Sequence, residues 1–216
     1  MTEVSSEVRF LHAVQIGLGA WQWGDRVIWG YGQTHTDKDI REAFDVSLNL
    51  GVRFVDTAEI YGSGTSERLL GKFLKETEQP VLVATKFFPW PWRLSKGFIP
   101  RALKGSLERM GLESIDLYQI HWPSYLMTPE TMMEGMVECM KQGLTRTVGV
   151  SNFGQKRMLR AYSTLALHGI PLASNQVHYS LLSREVEKNG TLARCKELGI
   201  RLIAYSPLEK GLLTGK

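Results

Sequence analysis

Apolar residues fall along the chain in short, nearly continuous runs. The runs are Val14–Ala20, Val52–Asp56, Val81–Thr85, Ile115–Ile120, Thr147–Val150, Ala173–His178 and Arg201–Tyr205. Several are rich in β-branched residues, and together they predict strands buried on both faces. Amphipathic stretches with helix punctuation lie between them. Thr36 precedes Asp37-Lys38-Asp39, and the helix it opens is expected to stop at Gly51. Pro100 opens a later helix that stops at Gly111. Thr128 caps one that starts at Pro129 and ends at Gly143, and Gly199 ends the helix through Cys195.

The later strands end near residues 56, 86, 121, 151, 178 and 206, roughly 30 residues apart, which is one strand-plus-helix unit each. Strand alternates with helix, and after the first strand no two strands lie close enough for a hairpin. Such alternation predicts an α/β fold with a parallel sheet, either doubly wound or closed. A doubly wound sheet would ask for a glycine fingerprint at the first strand-to-helix turn. Gly17-Leu18-Gly19-Ala20-Trp21-Gln22 lacks the third glycine, fills the turn with Trp21 and opens no helix. The expectation is therefore a parallel (β/α) TIM-type barrel with seven of its eight strands present. No linker or shift in composition divides the chain, so residues 1–216 are read as a single domain, incomplete at the C-terminus.

Composition narrows the function classes. Apolar residues make up 43% and charged residues 22%, the balance of a chain that folds around a core. No apolar run approaches the ~18 residues of a membrane span. Met1–Phe10 carries neither a secretory core nor an Arg/Ser-rich transit pattern. The net charge of +4 is scattered, without a basic run, which argues against a nucleic-acid partner. Cys139 and Cys195 sit within helical patterns and outside any metal-ligand spacing, so they read as buried reduced thiols, and no metal is expected. A reducing compartment follows, and the cytoplasm is the expected location unless an organelle peptide has been removed.

Polar residues gather just after the apolar runs: Asp56, Lys86, His121, Ser151-Asn152 and Tyr205-Ser206, with Asn175-Gln176 inside the sixth run. Any one of them has an ordinary explanation as a cap, a solvated surface group or a packed core residue. In a parallel barrel all these strand ends meet on one rim, where barrel enzymes do their chemistry. Tyr61 lies on the loop that follows Asp56. A phenol with an unperturbed pKa of ~10 is a poor acid at neutral pH, and a nearby ammonium lowers that value. Lys86 would be the cation, Asp56 its partner, and His121 a hydrogen-bond donor to a substrate oxygen. The set suits proton delivery to a carbonyl that receives a hydride.

At these residues the sequence resembles the aldo-keto reductase family. The resemblance rests on Asp56-Thr57-Ala58-Glu59-Ile60-Tyr61-Gly62, Ala84-Thr85-Lys86, Asp116-Leu117-Tyr118-Gln119-Ile120-His121-Trp122-Pro123, Gly149-Val150-Ser151-Asn152-Phe153, Asn175-Gln176-Val177 and Ala204-Tyr205-Ser206-Pro207-Leu208, in the family's order. It implies an NADPH-dependent oxidoreductase that reduces aldehydes or ketones, with Tyr61 as general acid. It further implies that Asp56 and Lys86 tune Tyr61 and that His121 orients the substrate. Ser151, Asn152 and Gln176 would hold the carboxamide of the cofactor, and Tyr205 would stack on its nicotinamide. Ser206, Pro207, Leu208 and Gly211 would surround the pyrophosphate, with Ala20, Trp21 and Asp56 also near the cofactor.

Aromatic residues collect around the same rim. Trp21 and Trp23 follow the first run, Phe87-Phe88-Pro89-Trp90-Pro91-Trp92 the third, and Trp122 follows His121. Trp21, Trp90, His121 and Trp122 are expected to touch an apolar or aromatic carbonyl substrate in a pocket held by a rigid loop. Gly62-Ser63-Gly64-Thr65-Ser66-Glu67 lacks the Lys-Ser/Thr of a phosphate-binding loop and reads as a turn into a helix. Two departures from the family stand out. The N-terminal hairpin looks abbreviated, and the sequence stops at Lys216, before the eighth strand and the adenosine-binding segment that the family carries. The alternatives to a reductase are a non-catalytic regulatory subunit of the same fold, like a potassium-channel β subunit, or an inactive truncated form.

Overall fold

Seven parallel strands, hydrogen-bonded in chain order, form one sheet that curls into most of a barrel. They are β1 (Leu18–Gly19), β2 (Phe54–Asp56), β3 (Leu82–Phe87), β4 (Ile115–Ile120), β5 (Thr145–Ser151), β6 (Leu172–His178) and β7 (Arg201–Tyr205). The computed structural model describes residues 8–215, so the expectations for residues 1–7 and for Lys216 lie outside it. The predicted runs match the strands to within two residues except the first, where only two residues of Val14–Ala20 pair. Gly17 is small for a reason: a Cβ there would stand 2.6 Å from the Phe54 ring.

Helices follow the strands and cover the outside of the sheet. They are α2 (Asp37–Asn49), α3 (Thr65–Lys75), α4 (Phe98–Met110), α5 (Pro129–Lys141), α6 (Gln155–Ala166), the short α7 (Glu185–Lys188) and α8 (Thr191–Leu198), after an N-terminal α1 (Arg9–Ala13). Thr36 and Asp39 close a capping box on α2, which buries Ile40, Phe44 and Leu48 at helical spacing. The Thr128 side chain accepts from the Thr131 amide, and Pro129 takes the first helical position of α5. Gly111 and Gly199 end α4 and α8 in the left-handed conformation, as their sequence positions predicted. Burial pushes the thiols of Cys139 and Cys195 up to about 12 and about 11, which leaves both protonated and unreactive.

The core has two parts. The larger lies between sheet and helices, from Trp23 and Phe44 through Phe87 and Leu103 to Val150 and Leu165. The smaller fills the N-terminal mouth of the barrel, where Val8 and Leu11 pack against Phe54, Ala84, Leu117 and Ala173. The segment expected to be an abbreviated hairpin is thus helix α1, and it works as a plug.

Among the described residues β1 pairs only with β2 and β7 only with β6. The Arg201 guanidinium reaches across to donate to the Val14 carbonyl at 2.7 Å. No described helix is long and apolar enough to cross a membrane.

Candidate active site

Parallel strands carry all their C-terminal ends to one rim, and the site is built there. Asp56 ends β2, Lys86 lies one residue from the end of β3, and His121 follows β4 directly. Ser151 ends β5, Gln176 lies near the end of β6, and Tyr205 ends β7. The loop that carries Tyr61 is fixed by close backbone contact. Gly62 takes a left-handed φ of 53°, and a Cβ on it would stand 2.7 Å from the backbone of Gly24 in the loop after β1. Thr57 and Ser66 share a hydrogen bond of 2.7 Å, and Ser66 donates to the Ala20 carbonyl at 2.9 Å. The loops after β1 and β2 are therefore locked together beneath Tyr61, with Ala20 serving through its backbone.

Lys86 is fully buried. Its ammonium donates to the Asp56 carboxylate, to the Thr57 carbonyl at 2.8 Å and to the Tyr61 hydroxyl at 3.4 Å. The second carboxylate oxygen of Asp56 accepts from Gln176 at 3.0 Å and from Gln119 at 3.3 Å. Ser174 in turn donates to Gln119 at 3.2 Å. Gln119 and Ser174 were not among the predicted site residues. Their signal was a polar side chain inside an otherwise apolar, doubly buried strand, where an amide or hydroxyl is costly unless paired.

Three titration effects follow. Burial raises the pKa of Tyr61, Lys86 opposes that, and Asp56 adds to it, so the net shift is upward. The expected lowering by Lys86 is present but is outweighed by desolvation, and Tyr61 keeps its proton at neutral pH. Burial also tends to lower the pKa of Lys86, yet Asp56 and Tyr61 together hold it above its ordinary value, so the cation persists. His121 drops to about 2 because it is buried and then because Lys86 is close. It is a neutral imidazole, suited to hydrogen bonding and unsuited to acid catalysis. Its Nδ1 is buried and has no hydrogen-bond partner among the described residues. Its ring meets Tyr61 edge-on, with centroids 5.5 Å apart.

The residues predicted for the nicotinamide end also converge. Asn152, at φ 61°, donates to the His121 carbonyl at 3.1 Å and to Ser151 Oγ at 3.0 Å. It accepts from the Tyr205 hydroxyl at 3.0 Å. Trp21 lies 6.3 Å from the Tyr61 ring in a stacked orientation. An open cleft of about 600 Å³ is lined by Trp21, His178, Tyr205, Ser206, Glu209 and Lys210, among others. Ser206, Glu209 and Lys210 all have positive φ, and Gly211 sits at φ 106°. The loop they form, with Pro207 and an exposed Leu208, is pinned by Glu209 to Ser180 and to His178 Nε2 at 3.0 Å. Lys210 places its ammonium over the Trp21 ring at 5.6 Å.

Of the predicted substrate residues, Trp21 and His121 touch Tyr61. Trp90 reaches His121 through Phe88, which lies 4.6 Å from Trp90 and 5.7 Å from His121. Trp122 is 46% exposed and makes no ring contact with Tyr61 or His121.

The rim of the parallel barrel thus brings together a buried lysine paired with Asp56, a tyrosine against the ammonium, and a neutral histidine beside them. Residues 15–216 match the model of the aldo/keto reductase family, and the chain belongs to that family. It is 43% identical over 214 residues to a chloroplastic pyridoxal reductase of Arabidopsis thaliana, covering 93% of this chain and 58% of the relative. It is 35% identical over 215 residues to the aldo-keto reductase YhdN of Bacillus subtilis, covering 95% of this chain and 62% of that one. The chain thus spans about three fifths of these relatives, between 58% and 62%. Among solved structures, the thermostable aldo-keto reductase Tm1743 superposes with a TM-score of 0.78 at 32% identity, over 90% of this chain and 68% of that one. An aldo-keto reductase from Klebsiella pneumoniae in complex with NADPH gives 0.76 at 28% identity, over 91% and 65%.

Proposed function

We propose that the protein reduces ring-bearing aldehydes with NADPH, and that pyridoxal is the substrate to test first. The observation that carries the reading is the Tyr61 hydroxyl held 3.4 Å from a fully buried ammonium that Asp56 keeps charged. Its support among relatives is the pyridoxal reductase at 43% identity and the Klebsiella structure in complex with NADPH.

The residues present fit a nicotinamide. Among the described residues Ser151 Oγ is engaged only by Asn152, and Gln176 is engaged only through its Nε2. A hydroxyl donor and an amide oxygen therefore remain to meet the two ends of a carboxamide. Tyr205 offers a half-buried ring already stacked on His178, with centroids 5.3 Å apart. When bound, NADPH supplies the hydride. Tyr61 gives its proton to the carbonyl oxygen as negative charge develops there. Neutral His121 donates a hydrogen bond to the same oxygen, and Lys86 stabilises the phenolate left behind. Phe88, Trp90 and Trp21 exclude water and offer flat faces to an aromatic ring.

The test is the loss of NADPH absorbance when the chain meets pyridoxal. Turnover that falls sharply in Tyr61→Phe supports the reading. No turnover of any aldehyde by a folded chain that binds NADPH would refute it.

A further inference from the structure

Glu59 and Arg93 form a partly buried pair that the chemistry above does not use. The Glu59 side chain is 9% exposed and that of Arg93 18%. Arg93 grips the carboxylate with both terminal nitrogens, at 3.0 Å for the Nη2–Oε2 contact. The same carboxylate accepts from the Phe88 amide at 2.7 Å. Arg93 Nη1 also donates to the Phe88 carbonyl at 3.0 Å, and its guanidinium lies 4.9 Å from the centroid of the Phe87 ring. Phe88 is thus held at both its N–H and its C=O.

The position of the pair gives it a consequence. Glu59 is two residues from Tyr61, on the loop after β2. Arg93 closes the loop after β3, which carries an aromatic ladder. Phe88 meets His121 edge-on, Trp90 leans on Phe88, and Trp92 stacks on Trp90 with centroids 5.1 Å apart and planes at 5°. Trp92 is 64% exposed, so packing alone does not fix the outer end of the ladder. We infer that Glu59 and Arg93 are positioning residues that set the distance between the proton donor and the aromatic wall, and so select ring-bearing over small aldehydes. This rests on the reductase reading above.

Chemistry supports the assignment. A bidentate Arg–carboxylate pair fixes orientation as well as distance. Buried ion pairs are weak devices for stability compared with apolar residues of like volume, whereas a registry role suits them. A merely structural pair would affect all substrates alike.

The test uses the full chain and the double variant Glu59→Gln/Arg93→Met, which removes both charges and leaves neither alone in the interior. Arg93→Lys serves as the conservative variant, keeping charge but losing the fork. The first readout is amide hydrogen exchange of the segment 87–93. Loss of the Arg93 donor to the Phe88 carbonyl, and of the negative charge that the Phe88 amide faces, should speed it by roughly 5- to 10-fold, the size expected for one hydrogen bond. The second is steady-state kinetics with pyridoxal and with propanal. The KM for pyridoxal should rise roughly 3- to 10-fold, as for loss of one aromatic contact, with kcat nearly unchanged. The KM for propanal should stay put, and Arg93→Lys should fall between wild type and the double variant. Unchanged exchange, or an equal rise in KM for both aldehydes, would overturn the inference. Should the wild-type chain reduce neither aldehyde, the proposed function fails. Pyridoxal binding, read by quenching of tryptophan fluorescence, then takes the place of KM in deciding this inference.

Discussion

Replacing Lys86 by methionine removes one charge and three hydrogen bonds while nearly preserving length and volume, which makes it the sharpest probe of the site. Lys86 is fully buried and touches Asp56, the Thr57 carbonyl and Tyr61. Without it, the Asp56 carboxylate keeps, among the described residues, only the amides of Gln119 and Gln176. Breaking a buried pair from one side typically costs ~3–5 kcal/mol. The side chain of Asp56 is 14% exposed, and this places the expected loss at the lower end. The catalytic consequence is separate. Unit charges 3.4 Å apart, the Lys86–Tyr61 separation, interact by about 5 kcal/mol at an effective dielectric of about 20. Asp56 acts on Tyr61 with the opposite sign, so only part of that survives as a net effect.

The sign of the pH effect is fixed by chemistry. Lys86 favours the phenolate, so its removal makes Tyr61 hold its proton to higher pH. Alcohol oxidation needs the phenolate as base, so its rate rises as pH climbs through the Tyr61 pKa, and that rising limb should move to higher pH by ~1 unit or more, the usual range for a single neighbouring charge. The assay is the pH profile of kcat for alcohol oxidation with NADP in Lys86→Met and wild type, beside urea midpoints for both. A folded, active Lys86→Met with an unchanged limb would refute the tuning role and leave Lys86 a structural residue.

Tyr61→Phe should lower aldehyde reduction by ~10²–10⁴ while tryptophan quenching by NADPH stays close to wild type; near-normal turnover would remove Tyr61 from the role of acid. His121 is native-neutral with a pKa of about 2, so the unfolded chain, with its histidine near ~6.5, takes up the proton first, and stability falls as pH drops below ~6.5. Wild type should therefore lose roughly 2–3 kcal/mol relative to His121→Asn between pH 6.5 and 4.5, and parallel urea midpoints at the two pH values would contradict this. Gly62→Ala sets a Cβ 2.7 Å from the Gly24 backbone, which has no side chain to yield. It should cost about 1–3 kcal/mol in thermal or urea unfolding and lower kcat by displacing Tyr61, and full stability with full activity would show that the two loops separate freely.

The parts of the molecule that sequence made legible are those where one local rule decides. Buried parallel strands read as apolar runs, and the caps at Thr36 and Thr128 and the stops at Gly111 and Gly199 read as helix ends. Asp56, Lys86 and His121 stood out because a polar residue after an apolar run has few neighbours in sequence to explain it. The remainder depends on contacts across the barrel. Gln119 and Ser174 meet only because β4 and β6 both turn those positions inward, 55 residues apart in sequence. Glu59 meets Arg93 across 34 residues, between two loops that no periodicity describes. The direction of the Tyr61 shift was likewise hidden. Sequence names the cation beside the phenol, but only the depth of burial says whether desolvation wins. At the N-terminal mouth, a five-residue helix and a short strand carry the same apolar content, and the choice falls to packing against Phe54 and Leu117.

The barrel interior carries an unusual load of polar side chains for a core, and its order explains why it holds. Ser174 gives its hydrogen to Gln119, Gln119 to Asp56, and Lys86 bridges Asp56 to Tyr61, so a line of donors crosses from β6 through β4 and β2 to the rim. Each buried group on that line has a partner, which is the condition under which a polar network rigidifies a core rather than weakening it. Space for the line comes from Gly149. A Cβ at that position would stand 2.2 Å from Ser174 Oγ and 3.3 Å from the Gln119 side chain. The glycine of Gly149-Val150-Ser151-Asn152 therefore acts on the site without touching it, by leaving room for the hydroxyl and amide that orient Asp56. Under the proposed reduction, charges fixed before substrate arrives need little reorganisation as a proton leaves Tyr61, and the strand ends supply that fixity by holding Asp56 and Lys86 beneath the loop that carries the tyrosine.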